Sequence, residues 1–148
     1  MSALKDRITA DMKTAMREKD KERLATIRML TAAIKQREVD ERIELTDDDV
    51  IAIVEKLVKQ RREAEAQYRA GDRADLADQE ASEAALLADY LPEQLDEAEI
   101  DQLVDDAVTA TGAESMRDMG KVMGMLKPKV AGRTDMSALS AKIKARLG

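Results

Sequence analysis

Thr46-Asp-Asp-Asp-Val-Ile-Ala-Ile-Val-Glu-Lys-Leu-Val58 reads as the opening of a long amphipathic helix. Thr46 followed three residues later by Asp49 has the spacing of a capping box, and Asp47 and Asp48 suit the positive end of a helix dipole. Behind this start, Val50, Ile53, Val54, Leu57 and Val58 recur at helical spacing, and the pattern continues through Ala64 to Tyr68. Gly71 is placed to end the helix as a left-handed cap. The same periodicity runs in both directions from this segment. Leu4, Ile8, Met12 and Met16 define a first helix that breaks around Asp20, and Leu24, Ile27, Leu30 and Ile34 define a second. A fourth carries Leu76, Leu87 and Tyr90. Few β-branched or aromatic clusters interrupt this pattern, so the fold class expected is all-α.

Leu91-Pro92 is the expected internal boundary, because Pro lacks an amide hydrogen and pushes the preceding residue out of helical conformation. An N-terminal domain of about four helices is expected at 1–91, followed by a small three-helix domain at 92–148. In the second, Asp96 and Glu99 repeat the capping spacing, Ile100, Leu103, Val104, Ala107 and Val108 form a stripe, and Gly112 can cap its end. Ser115 is expected to start a helix through Met119, Val122, Met123 and Leu126. Pro128 is expected to stop it, with Gly132 in the turn before a last helix bearing Leu139, Ile143 and Leu147.

The composition narrows the chemistry. The 148 residues include no Cys, His, Trp or Phe, which excludes thiol nucleophiles, imidazole bases and Cys/His zinc sites. No P-loop, GxGxxG fingerprint or EF-hand loop occurs. No catalytic residue, metal or cofactor is therefore assigned. The Asp47–Asp49 tract is read as helix capping. There is no signal-like or membrane-spanning apolar segment, so no membrane partner and a cytoplasmic location are expected.

Charge is unevenly distributed. Residues 92–114 carry eight acidic and no basic side chains, whereas 115–148 carry eight basic and two acidic. A concentrated basic segment in an acidic chain points to a localised anionic partner, with packing of a basic helix on an acidic one as the structural alternative. Within it, Met119-Gly-Lys-Val-Met-Gly-Met-Leu-Lys-Pro-Lys-Val-Ala-Gly-Arg133 holds Gly120 and Gly124 in one short helix, each costing about 1 kcal/mol relative to Ala. Four residues apart, they form a smooth strip, and Lys121, Lys127, Lys129 and Arg133 surround it with cations. Such a surface fits a nucleic-acid backbone contacted without base readout. Tight packing of another helix at the glycines is the alternative. A second basic set, Lys59, Arg62 and Arg69 with Arg73 beyond, shares one helix face, laced with Glu55, Glu63 and Glu65. The shortage of aromatics argues against base stacking and for recognition of a structured RNA by shape. The methionines at 116, 119, 123 and 125 are read as adaptable core filling.

Several segments, taken in order, resemble the GatB/YqeY family, the YqeY-like proteins related to the C-terminal part of the B subunit of glutamine-dependent aspartyl/glutamyl-tRNA amidotransferase. They are Arg28-Met-Leu-Thr-Ala-Ala-Ile-Lys-Gln-Arg-Glu-Val-Asp40, Lys59-Gln-Arg-Arg-Glu63, Gln67-Tyr68, Asp75-Leu-Ala-Asp78, Tyr90-Leu-Pro-Glu-Gln-Leu95, Met119-Gly-Lys-Val-Met-Gly124 and Gly132-Arg-Thr-Asp135. Thr134-Asp135-Met136 departs from the Ala-Asp-Gly or Ala-Asp-Pro more usual there. The resemblance implies a helical domain followed by a tail domain that contacts tRNA in the amidotransferase. It implies no amide-bond chemistry in this chain, because the glutaminase nucleophile and the ATP- and metal-binding kinase site are not readable here. A carbon–nitrogen ligase label with glutamine as amido donor would describe the larger complex. The expected function is a non-catalytic tRNA-binding module in translation; the alternative is a protein adaptor that docks a partner helix of an amidotransferase or synthetase subunit.

Overall fold

The structure is a computed structural model that describes residues 2–148, and among them every regular element is helical. It divides into two compact units, one ending at Leu91 and one beginning at Pro92.

The first unit contains α1 (Ala3–Glu18), α2 (Lys21–Glu41), α3 (Asp47–Ala70) and α4 (Ala74–Ala88). Sequence chemistry accounts for three of the four starts, α4 beginning after Arg73 without a side-chain cap. The side-chain oxygens of Ser2, Asp20 and Thr46 accept the first free amides of α1, α2 and α3, and Thr46 with Asp49 completes the reciprocal box. The ends are less legible. Lys19, Arg42 and Asp72 all take left-handed backbone, with φ of 57°, 55° and 57°. Gly71 does not: its φ is −93°, so the expected glycine cap falls one residue early. The Asp72 and Arg73 amides instead donate to the Arg69 and Tyr68 carbonyls at 3.3 and 2.8 Å, closing a Schellman motif with Asp72 in the left-handed position. A short polar side chain tolerates that region better than most.

Ile8, Ala15, Ile27, Leu30, Ile34, Leu45, Val50, Val54, Leu87 and Tyr90 form the core of this unit. Burying a Leu, Ile or Val side chain contributes about 1.5–3 kcal/mol, which makes these contacts the main source of stability. Polar links cross the same helices. The Ser2 hydroxyl and the Leu4 amide both donate to Asp47, tying the start of α1 to the start of α3. Lys5 donates to Glu38 at 2.7 Å, and Glu38 also accepts the Leu45 amide. Tyr90 donates to Asp11 at 2.6 Å beneath the Arg7 guanidinium, which lies 4.8 Å from the ring centre.

The second unit contains α5 (Glu97–Thr111), a single 3-10 turn at Met116–Asp118, α6 (Met119–Val130) and α7 (Met136–Leu147). Asp96 and Glu99 form the capping box of α5, and Gly112 ends it with φ of 66°. Ile100, Val104, Ala107, Val108, Val122, Leu126, Val130, Leu139 and Ile143 are its core. Two expectations change here. Ser115 starts the 3-10 turn, and α6 follows only from Met119. Pro128 does not stop α6, which runs two residues past it. The missing Pro128 amide would have met the Gly124 carbonyl, so one hydrogen bond is lost. Val130 is fully buried, and its packing holds the final turn in place despite that loss. The methionines also divide: Met119 and Met123 pack against the core, whereas Met116 and Met125 are exposed.

Candidate nucleic-acid interface

α6 has one buried and one open side. At about 100° per residue, Val122, Leu126 and Val130 point to the core, and Gly120, Gly124 and Pro128 form a stripe opposite them. All three stripe residues are exposed. No heavy atom beyond the helix's own turns lies within 4 Å of where a Cβ would stand on Gly120 or Gly124. Internal helix packing therefore does not account for either glycine. The stripe includes Pro128, which sequence reasoning assigned to termination alone; its position four residues beyond Gly124 was the signal.

The cations around the stripe differ in engagement. Lys127 and Lys129 are exposed and have no ion pair among the described residues. Lys121 reaches only Asp118, at 3.9 Å, with its own side chain 71% exposed. The Asp118 carboxyl is held below its ordinary range mainly by the Glu114 amide, which donates to it at 3.0 Å. Arg133 is a clip rather than a free cation. Its Nε donates to the Glu93 carbonyl at 2.9 Å and its Nη1 to the Lys129 carbonyl at 3.4 Å, while its own carbonyl accepts the Leu95 amide. It ties the segment after Pro92 to the α6–α7 turn, where Gly132 has φ of 73°.

The basic C-terminal segment thus separates into two parts. On α7, Lys142 pairs with Glu97 and Asp101 at 3.2 and 2.7 Å, and Arg146 with Asp105 at 3.1 Å. Those carboxylates keep the Lys142 ammonium above its usual range, Asp101 contributing most. Both basic helices pack on the acidic α5, and it is α7 whose cations pair with the α5 carboxylates. Of the α6 lysines, Lys127 and Lys129 have no ion pair among the described residues, and Lys121 has only the 3.9 Å contact with Asp118.

The other basic set belongs to α3. Arg69 pairs with Glu65 at 2.9 Å and with Asp78 of α4 at 3.2 Å, and Arg62 pairs with Glu65 at 3.4 Å. Arg69 above all holds the Glu65 carboxyl below its ordinary range. Arg73 pairs with Asp75. Of Lys59, Arg62 and Arg69, only Lys59 has no ion pair among the described residues, so this ridge is largely neutralised. Among the described residues no group of three or more acidic side chains is arranged to hold a metal ion. None of their helices is long and apolar enough to cross a membrane.

Fold and site together define a two-unit, all-helical protein whose three-helix unit presents an open, cationic helix face. The chain belongs to the YqeY-like protein family, whose model matches residues 5–147. It is 32% identical over 145 residues to altered inheritance of mitochondria protein 41, mitochondrial, of Pyrenophora tritici-repentis, covering 96% of this chain and 80% of that protein. The proteins of that name from Vanderwaltozyma polyspora and Lachancea thermotolerans are 30% and 34% identical, over 74% and 67% of this chain. The chain spans 63% and 54% of the length of these two relatives.

Proposed function

We propose that this chain is a non-catalytic binding module for structured RNA, tRNA in particular, and that the open face of α6 is the contact surface. One observation carries it: Gly120 and Gly124 keep a helix-weakening residue at positions with no packing need, beside Lys127 and Lys129, which have no ion pair among the described residues, and Lys121, whose one ion pair, to Asp118, is 3.9 Å long. A smooth strip flanked by cations lets a sugar–phosphate backbone approach closely while the ammonium groups meet phosphates. Lys121, Lys127 and Lys129 act on the ligand, and Arg133 holds the α6–α7 turn. The paired Arg62 and Arg69 contribute less than Lys59, since binding there must first break their ion pairs. The tRNA class and the link to amidotransferase rest on the family resemblance.

The test is a titration of the full chain with folded tRNA, a matched RNA duplex and an unstructured strand at roughly 50 and 200 mM salt. For several phosphate contacts, affinity for folded tRNA should fall about tenfold or more between the two salts. Lys121→Gln with Lys127→Gln should weaken binding across tRNA species and flatten the salt dependence. Unchanged binding by the folded double variant would remove α6 from the interface. Exposed Met125 beside the strip favours a second reading, an adaptor face for a partner helix. In that case Gly124→Leu would abolish capture of the partner and leave RNA affinity unchanged.

A further inference from the structure

α2 presents a second outward face, built differently from that of α6. Lys21, Ala25, Arg28, Ala32, Lys35 and Val39 are all exposed. Their spacings of four, three, four, three and four residues keep them in one line, opposite the buried Ile27, Leu30 and Ile34. At 1.5 Å per residue the line is about 27 Å long. It alternates a cation with a small or apolar residue, the 4-3 pattern of a seam between two helices.

The cations on this line are not compensated. Lys21, Arg28 and Lys35 have no ion pair among the described residues, although neighbouring Arg23 and Arg37 do. The acids of the groove beside Lys21 and Ala25 are already engaged. Glu22 accepts from Ser82 at 2.7 Å, Asp78 pairs with Arg69 at 3.2 Å and Glu83 with Arg61 at 3.0 Å.

The apolar members select the kind of partner. Val39 is 64% exposed, the largest value among the exposed large hydrophobics, and Ile43, just past the left-handed Arg42 that ends α2, is 46% exposed. A phosphate backbone would use the three cations and gain nothing from Val39. A helix lying along the line would cover Val39, approach closely over Ala25 and Ala32, and bring side chains to all three cations.

We infer that this face of α2 docks an amphipathic helix of a partner protein that carries carboxylates at heptad spacing, opposite Lys21, Arg28 and Lys35. The surface lies on other residues and in another unit than α6, so it stands or falls independently of RNA binding.

The test uses the full chain and three probes in fluorescence anisotropy. They are a synthetic three-heptad helical peptide with Leu and Glu at the two seam positions, the same peptide with Lys in place of Glu, and a short RNA duplex. The Glu peptide should bind about tenfold or more tightly than the Lys peptide, as expected for three charge pairs exchanged for three repulsions. A triple variant, Lys21→Glu, Arg28→Glu and Lys35→Glu, should invert that preference, and Val39→Asp should weaken the Glu peptide. All four positions are exposed, and circular dichroism checks that the variants keep their helices. The Lys121→Gln, Lys127→Gln variant should retain the peptide preference. Equal binding of the two peptides, binding of neither, or a preference that survives the triple reversal would overturn the inference. Duplex RNA affinity lost on reversing α2, with the peptides indifferent, would overturn it in favour of a nucleic-acid face.

Discussion

Three residues separate what a side chain does for the fold from what it offers a ligand. A Cβ on Gly124 would meet nothing within 4 Å beyond its own helix turns, so Gly124→Ala should raise the thermal stability of the second unit by up to about 1 kcal/mol while weakening RNA binding. A melting curve and a titration on the same protein check both halves. Gly112 is the opposite case, because its φ of 66° is one that an L side chain rarely adopts. Gly112→Ala should destabilise by about 1 kcal/mol. Arg133 makes two hydrogen bonds to carbonyls through a planar fork that lysine lacks. Arg133→Lys should therefore lower the melting temperature and leave the RNA salt dependence nearly unchanged. A large affinity loss without a stability loss would return Arg133 to the phosphate-contacting set.

At the scale of elements, helix starts were more legible than helix ends. Thr46 with Asp49 and Asp96 with Glu99 are local arrangements, complete within four residues, and both form as their spacing implies. Asp96→Ala should cost about 0.5–2 kcal/mol, measurable by urea denaturation followed through α5. The ends depend on where the core stops needing the helix. α6 continues beyond Pro128 because Val130 must reach the core, and the left-handed residue that closes α3 is Asp72 rather than Gly71, fixed by the Arg73 amide reaching back to the Tyr68 carbonyl. The partition of charge on α6 and α7 is of the same kind. Both helices are basic in sequence, and only the tertiary structure shows that Lys142 and Arg146 are engaged by α5 while Lys127 and Lys129 have no ion pair among the described residues.

For the whole molecule, the two units should respond differently to acid. In the first, the Glu38, Asp47, Asp49, Glu65 and Asp75 carboxyls all lie below their ordinary range, held chiefly by Lys5, Ser2, the Thr46 amide, Arg69 and Arg73 respectively. In the second, the Asp118 carboxyl is so held, chiefly by the Glu114 amide. A carboxyl depressed in the folded state contributes stability that is present above its unfolded value and is lost as pH falls through the folded one. Acidification below about pH 4 should therefore loosen the first unit before the second, which amide hydrogen exchange can follow separately in each. Simultaneous loss of protection in both would contradict this. Tyr90 works at the other end of the scale. Burial, reinforced by the Asp11 carboxylate, raises its phenol above 10.0, so its contribution is present below that pH and is lost as the phenol ionises at higher pH.

The sequence by itself determined the all-helical fold, the capped helix starts and the membership of apolar stripes, because these follow from neighbours three and four residues apart. It also brought Gly120, Gly124 and the lysines near them to notice, through a local cost in helix propensity and a local excess of charge. Only the tertiary structure decided which of those residues are available. Whether a glycine packs or lies open, whether a lysine is paired or bare, and whether Arg133 binds carbonyls depend on side chains up to about forty residues away in the chain. Availability is a property of surfaces, and a surface exists only once distant segments have been brought together.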